Sequence, residues 1–370
     1  MNKIWKHILL IGLITLFITA TGLLLFYPLP DSPVSAVENA RIKIYEARSQ
    51  NAGIYSDSLF REAQKMYDSA MHKWQKENEK FLYSRSFDSV SLLANMAAQK
   101  AVEALTDSKN NTLSLIAEAE KRIREVKKTS EALVRRFSDY PLAPGMRKNI
   151  SRGEILISEA RHAMEKGSVA EACKMITEAG QLINPAYEYA DANLRNWFRS
   201  YNQWKEWADT TIEISRNNGD YSIIVDKYSR KVIVYLKGEV RFTCRAELGK
   251  NWVGDKRMLG DHSTPEGMYH IVKKFESDST QYYKALLLNY PNKEDSVLFE
   301  SSVRRGILPH SASPGGLIEI HGNGGKGSDW TAGCIAVTNR EMDTLFSLAG
   351  IGTPVTIVGS MKELRSVMIR

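Results

Sequence analysis

Cysteine is scarce in this chain, with three among 370 residues, and these form no CxxC pair and no Cys/His cluster. That excludes a disulfide framework and offers no structural zinc site, so no metal and no other cofactor is expected. No GxxxxGK[ST] string occurs. The glycine-rich stretch Gly322 to Gly327 lacks that spacing and is not followed by a helical pattern, which excludes a phosphate loop. No Lys/Arg-rich block or basic-aromatic string is present, so a nucleic-acid partner is not indicated. The balance of 50 basic to 43 acidic residues, formally +7, is compatible with a negatively charged envelope and more often is simply a solvated surface. With 43% apolar and 25% charged residues, the chain has the composition of a folded protein. It is long enough for two ordinary domains plus appendages.

Near the amino terminus, Lys3 and Lys6 precede an uncharged apolar run, Ile8 to Phe26, close to the length that crosses a bilayer. The YPLPDSP that follows does not look like a cleavage site, and no cysteine comes next to carry a lipid. The run reads as a signal anchor over 1–27 with the lysines on the cytoplasmic side. The expectation is a single-pass protein of the cell inner membrane with its body in the periplasm or cell envelope; a cleaved signal peptide is the alternative.

From about Ser35 to Ser215 apolar residues recur three and four apart. Val37, Ala40, Ile44 and Ala47 make one stripe, and Phe87, Val90, Ala94, Ala97, Ala101 and Leu105 another. Gly53, Asp107 to Asn111, Pro141 to Gly145, Gly167 and Pro185 are the expected breaks, giving about seven helices. Alanine-rich faces favour close packing, so 28–215 reads as a bundle of repeated antiparallel helices or a TPR-like spacer. The last helix keeps Ala190, Leu194, Trp197, Tyr201, Trp204, Ala208 and Ile212 on one face, an aromatic stripe read as core or interdomain packing.

At Tyr221 the period changes to two. Strands are expected at 221–226, 231–236, 240–248, 269–273, 285–289, 317–321 and 354–358, arguing a mostly-β, sandwich-like domain over 216–360 with a tail at 361–370. Thr338 with Glu341 makes a capping box, and Met342, Leu345, Phe346 and Ala349 form the buried face of that helix. The whole chain reads as α+β and multidomain: a transmembrane helix, an all-α region and a β domain.

Chemistry concentrates in Ile318 to Asn339. A short strand ends at His321, a loop rich in Gly, Asn, Asp and Ser follows, and the chain returns at Cys334. A thiol becomes a useful nucleophile when a neighbouring imidazole takes its proton, and a closing loop can bring the two together. Cys173 reads as a small apolar helix residue and Cys244 as a strand residue. A Cys244–Cys334 disulfide, which would disable the nucleophile, is not expected.

A strand, His-Gly, a loop and [ST]xGC resemble the signature of the YkuD-type L,D-transpeptidase domain, and Thr264 to Tyr269 (TPEGMY) matches the TPxGxY segment of that family. The string Lys256 to Tyr269, with Tyr282-Tyr283, Tyr290-Pro291-Asn292 and the closing GCxAxTN, is similar to the YafK-like branch in particular. The resemblance covers Tyr221 to Gly359. It departs where the family usually has SHGC and then Arg or Asn two residues after the cysteine. Here the string is Thr331-Ala332-Gly333-Cys334-Ile335-Ala336.

The resemblance implies acyl transfer through a thioester. Cys334 would attack the amide carbonyl between the third and fourth residues of a peptidoglycan stem peptide, with His321 as the base. The Gly322 carbonyl would orient that base, and N–H groups around Gly333 and Cys334 would bind the oxyanion. Lys256, Arg257, Tyr283 and Thr331 would contact substrate, with a structural role as the equal alternative for Lys256, Arg257 and Tyr283, and His262, His270 and His310 are candidates for supporting positions. Because Ala332 and Ala336 replace polar residues beside the nucleophile, the favoured outcome is hydrolysis of an amide at the diaminopimelate, releasing a linked envelope protein or peptide. The alternatives are a transpeptidase that forms cross-links or attaches proteins, and a non-catalytic peptidoglycan-binding module.

Overall fold

The computed structural model describes residues 3–25, 30–276 and 279–368. Helix α1 (Lys3–Leu25) leaves Ile8, Leu9, Leu13 and Phe17 exposed. Among the described residues, however, no helix is long and apolar enough to cross a membrane. The anchor expected over 1–27 is therefore not supported, and the single-pass inner-membrane location goes with it. Thr15, Thr19 and Thr21 interrupt the apolar run, each turning its hydroxyl back onto a carbonyl of the preceding turn. Residues 26–29, where the expected segment ends, lie outside the described residues.

The chain divides into two compact units, one of Met1–Lys121 with His162–Cys173 and one of Arg122–Arg161 with Lys174–Arg370. The first contains α2 (Val34–Ser49), α3 (Ala52–Tyr55), α4 (Asp57–Asn78) and the start of α5 (Asp88–Phe137). Its core is built on alanine: Ala40, Ala70, Ala94 and Ala97 in one cluster, and Ala47, Ala63, Ala101 and Ala104 in another. Facing residues without long side chains let helix backbones approach closely, as the alanine stripes imply. The break expected at Asp107 to Asn111 does not occur, because α5 runs through it for 50 residues. Ser108 donates to the Gln50 carbonyl at 3.0 Å and Asn111 to the Tyr55 carbonyl at 2.8 Å. These polar side chains are satisfied across to a neighbouring turn instead of competing with their own helix.

The second unit holds the rest of α5, most of α6 (Pro144–Glu165) and α7 (Val169–Trp197), then α8 (Tyr201–Asn218) and the β region. Pro185 lies inside α7, where the helix continues despite losing one backbone donor. The single long helix expected through 190–212 is broken by a 3₁₀ turn at Phe198–Ser200. That turn lets Trp197 and Trp204, seven residues apart, bring their rings to 5.0 Å.

The strands are β1 (Tyr221–Asp226), β2 (Lys231–Leu236), β3 (Glu239–Arg245), β4 (Gly267–Glu276), β5 (Lys284–Leu288), β6 (Glu319–His321), β7 (Ile335–Ala336) and β8 (Pro354–Val358); helices α9 (Lys293–Arg304), α10 (Asn339–Leu348) and α11 (Leu364–Met368) accompany them. They do not form the expected sandwich. All eight join one sheet in the order β3-β2-β1-β8-β4-β5-β6-β7, a half-barrel. The last strand causes the difference: β8 inserts parallel to β1 and antiparallel to β4, joining two groups of strands edge to edge. Gly267 to His270 of β4 pair with β8, its later residues pair with β5, and the register shifts between Ile271 and Lys273. A bulge there bends the sheet.

Helix α8 covers one face. Thr211 and Thr356 share a hydroxyl hydrogen bond of 2.6 Å, and Trp204 lies so close to Gly359 that an added Cβ would fall 2.3 Å from its ring.

Candidate active site

Strand register sets the site. Ala285 of β5 and Ala336 of β7 flank His321 on β6, and Ile320 pairs with Ile335. Continuing that register by one residue places Cys334 beside Glu319. With a side-chain period of two, Cys334, Glu319, His321 and Ala336 share one face of the sheet. The two alanines leave room for the imidazole.

The intervening loop is tied down at several points. Glu247 accepts from the Gly327 N–H at 2.6 Å and the Trp330 indole at 2.7 Å. Asp329 accepts from the Leu248 N–H at 2.8 Å and from Arg230 at 3.0 Å.

His321 is fully buried. Its Nδ1 lies 2.6 Å from the Gly322 carbonyl, and since a carbonyl can only accept, the proton sits on Nδ1 and the lone pair on Nε2. Nε2 is buried and has no hydrogen-bond partner among the described residues, as a base awaiting a proton must be. Tyr282 stacks on the ring at 3.5 Å with planes 10° apart, and Trp330 meets it edge-on at 5.9 Å. Burial brings the imidazole down to about 4, against the opposing pull of the Gly322 carbonyl.

Cys334 is half-buried and its thiol donates to the Leu317 carbonyl at 3.4 Å. Burial pushes this thiol up to about 11; the Glu319 N–H and the Lys256 ammonium pull the other way, and the Glu319 carboxylate adds to the rise. The resting thiol and the resting imidazole are therefore both neutral.

That pair predicts a pH profile. The imidazole is neutral above about 4 and the thiol stays protonated below about 11, so any turnover that uses this pair should have a kcat/KM that is flat from about pH 5 to about pH 10. An acid limb near 6.5, the ordinary histidine value, would show that the imidazole is not held neutral by its surroundings.

The other expected site residues separate into groups. Gly322 donates its N–H to the Lys284 carbonyl at 3.0 Å, and an added Cβ would lie 2.7 Å from the Asn339 side chain. Gly333 has φ +143°, and an added Cβ would lie 2.8 Å from the Ser263 carbonyl, so only glycine fits. Its N–H, however, donates to the Thr331 hydroxyl at 3.2 Å, and that hydroxyl donates to the Cys334 carbonyl at 2.7 Å. Thr331 thus shapes the turn before the nucleophile instead of facing substrate. Lys256 is buried on Asp261 at 2.8 Å and the Met258 carbonyl at 3.1 Å, behind Gly333. Arg257 is exposed and lines a separate cleft.

Tyr283 donates to Asp343 on α10 at 3.3 Å, while its neighbour Tyr282 is the tyrosine on the histidine. His262, His270 and His310 are all exposed. Tyr282, Glu319 and Trp330 were missed as site residues. Glu319 was accessible from strand alternation, two residues before His321; nothing in the sequence distinguishes Tyr282 from Tyr283.

Residues 220–357 match the family profile described as the L,D-transpeptidase catalytic domain, YkuD. A curated relative, "Putative L,D-transpeptidase YafK" of Escherichia coli (strain K12), is 28% identical over 94 residues, which are 25% of this chain and 31% of that protein's length. Among solved structures, Bd1075 of Bdellovibrio bacteriovorus shares 23% identity over 40% of this chain and 52% of its own, with a TM-score of 0.29. L,D-transpeptidase 1 of Mycobacterium tuberculosis shares 16% over 38% of this chain and 62% of its own, with a TM-score of 0.25. On the family match, residues 220–357 are a YkuD L,D-transpeptidase catalytic domain.

Proposed function

We propose that this chain is a cysteine enzyme that opens a stem-peptide amide of peptidoglycan at the diaminopimelate through a thioester on Cys334 and passes the acyl group to water. The observation that carries the reading is the bare Nε2 of His321, its tautomer set by Gly322, on the same sheet face as the Cys334 thiol. In the first half-reaction the thiol proton moves to Nε2 while sulfur attacks the carbonyl. The C–N bond then breaks as Nε2–H protonates the leaving amine. In the second, Nε2 takes a proton from water, hydroxide attacks the thioester, and the thiol is restored.

Water is favoured over an amine as acceptor because Ala332 and Ala336 put no polar side chain beside the nucleophile. Transfer to an amine needs a second site that holds it and excludes water. A peptidoglycan-linked envelope protein is the proposed leaving partner.

The test is to incubate the purified full-length protein with tetrapeptide muropeptides and with a protein-linked tripeptide, following products by mass. Release of the linked protein, with an acyl adduct trapped on Cys334, is the expected result. Tripeptide-to-tripeptide dimers without free cleavage products would replace hydrolysis by cross-linking, and absence of any Cys334 adduct would remove the thioester.

A further inference from the structure

Within the second unit, a cleft of about 560 Å³ separates the end of α7 from the loop at 251–263. This volume lies in the range that takes ligands of small-peptide size. Tyr189, Asn196 and Ser200 line one wall and Asp255, Arg257 and Ser263 the other. Ser263 forms the wall on the side of the active site: its carbonyl would lie 2.8 Å from a Cβ on Gly333, the residue before Cys334.

Most charges around the cleft are already used. Glu266 takes two indole N–H groups and the Lys227 ammonium. Asp261 takes the Lys256 ammonium and the N–H groups of Arg257, Met258 and Ser263.

Two charges remain. The Arg257 side chain is exposed and makes no ion pair or side-chain hydrogen bond among the described residues. Asp255 has one oxygen held by the Glu266 N–H at 2.7 Å, while burial and then the adjacent Glu266 hold its carboxyl well above the usual carboxylate range. A carboxyl in that position gains from an incoming ammonium, and an unpaired guanidinium gains from an incoming carboxylate. Asn196 and Ser200, both exposed, add an amide and a hydroxyl on the helix side.

We propose that this cleft is a substrate subsite for the zwitterionic amino-acid end of a peptide, with Arg257 on its carboxylate and Asp255 on its ammonium. The proposal rests on the stem-peptide reading of the active site. On that reading the ligand is the free amino-acid end of the diaminopimelyl residue, and α7 contributes to specificity.

The experiment uses the full chain carrying Cys334→Ser, so that binding is measured by calorimetry without turnover. The probes are N-acetyl-L-Ala-γ-D-Glu-diaminopimelate, its form also acetylated on the diaminopimelyl amine, and its form amidated on the carboxylate adjacent to that amine. Each modification should weaken binding about tenfold or more. Adding Arg257→Gln should weaken the parent peptide by a similar factor and erase discrimination against the amidated form alone. Adding Asp255→Asn should erase discrimination against the doubly acetylated form alone.

Unchanged discrimination in both variants would overturn the subsite, as would a peptide-free disaccharide that binds with the same dependence on Arg257. Cleft-independent binding beside normal amide cleavage by the unaltered chain defeats this subsite only. Cleft-dependent binding with no cleavage by the unaltered chain defeats the proposed reaction only.

Discussion

Cys334→Ser and His321→Ala should each reduce turnover by about 10³-fold or more, and the double variant should be little worse than either single one, because a nucleophile and its base act as a unit. The serine hydroxyl keeps a similar shape but holds its proton far more tightly than a thiol. A base brought down to about 4 is too weak to remove it. His321→Ala removes the acceptor altogether and leaves Tyr282 without its stacking partner, so its melting temperature should be recorded alongside its rate.

Cys173→Ser and Cys244→Ser are the controls and should keep most of the activity. Cys244 is buried and its thiol is pushed up to about 12 by burial, which makes it inert. Intact mass after exposure to a carbapenem should show one adduct, on Cys334. A fully active Cys334→Ser variant would end the thioester mechanism.

What could be read from the sequence follows how local its cause is. The alternation in Tyr221 to Asp226 and Lys231 to Leu236 fixes two strands, and the register Ile223 with Val234 falls as a short hairpin requires. The Thr338–Glu341 capping box is present as expected, because both members lie within one turn. A second capping box, Asn292 with Asp295, opens α9. It went unseen because no residue of α9 is buried, so no apolar period announced the helix.

Sheet order was illegible for a different reason. Whether β8 closes a second layer or inserts between β1 and β4 depends on pairings 84 to 132 residues apart in sequence, and alternation is the same in both cases. At the site, His321 and Cys334 stand out by residue type and loop chemistry. The bonds of Thr331 to Gly333 and Cys334 are visible only in the folded turn.

Glu266→Ala should destabilise the protein by about 3–5 kcal/mol, although Glu266 belongs to the TPEGMY segment that resembles a functional motif. Its carboxylate is buried and holds three donors: the Trp197 indole at 2.7 Å, the Trp204 indole at 3.0 Å and the Lys227 ammonium at 2.7 Å. Lys227 is itself fully buried, with the carbonyls of Gly254 and Thr264 completing its shell at 2.6 and 2.7 Å. Removing Glu266 strands an ammonium and two indole N–H groups out of reach of water, and the penalty is that of uncompensated burial more than of lost attraction.

Lys227→Met alone should cost a comparable amount, because it leaves the Glu266 carboxylate beside Asp255 with its cation gone. The double variant Lys227→Met, Glu266→Gln should be more stable than either Glu266→Ala or Lys227→Met. It discards both charges while the glutamine oxygen still accepts from an indole, and replacing a whole buried pair is often neutral where breaking it is not. Denaturant unfolding followed by tryptophan fluorescence measures all three variants. With Glu266→Gln added as the matching single variant, losses that simply add in the double variant would show that the two side chains act independently and would overturn the stranded-charge account.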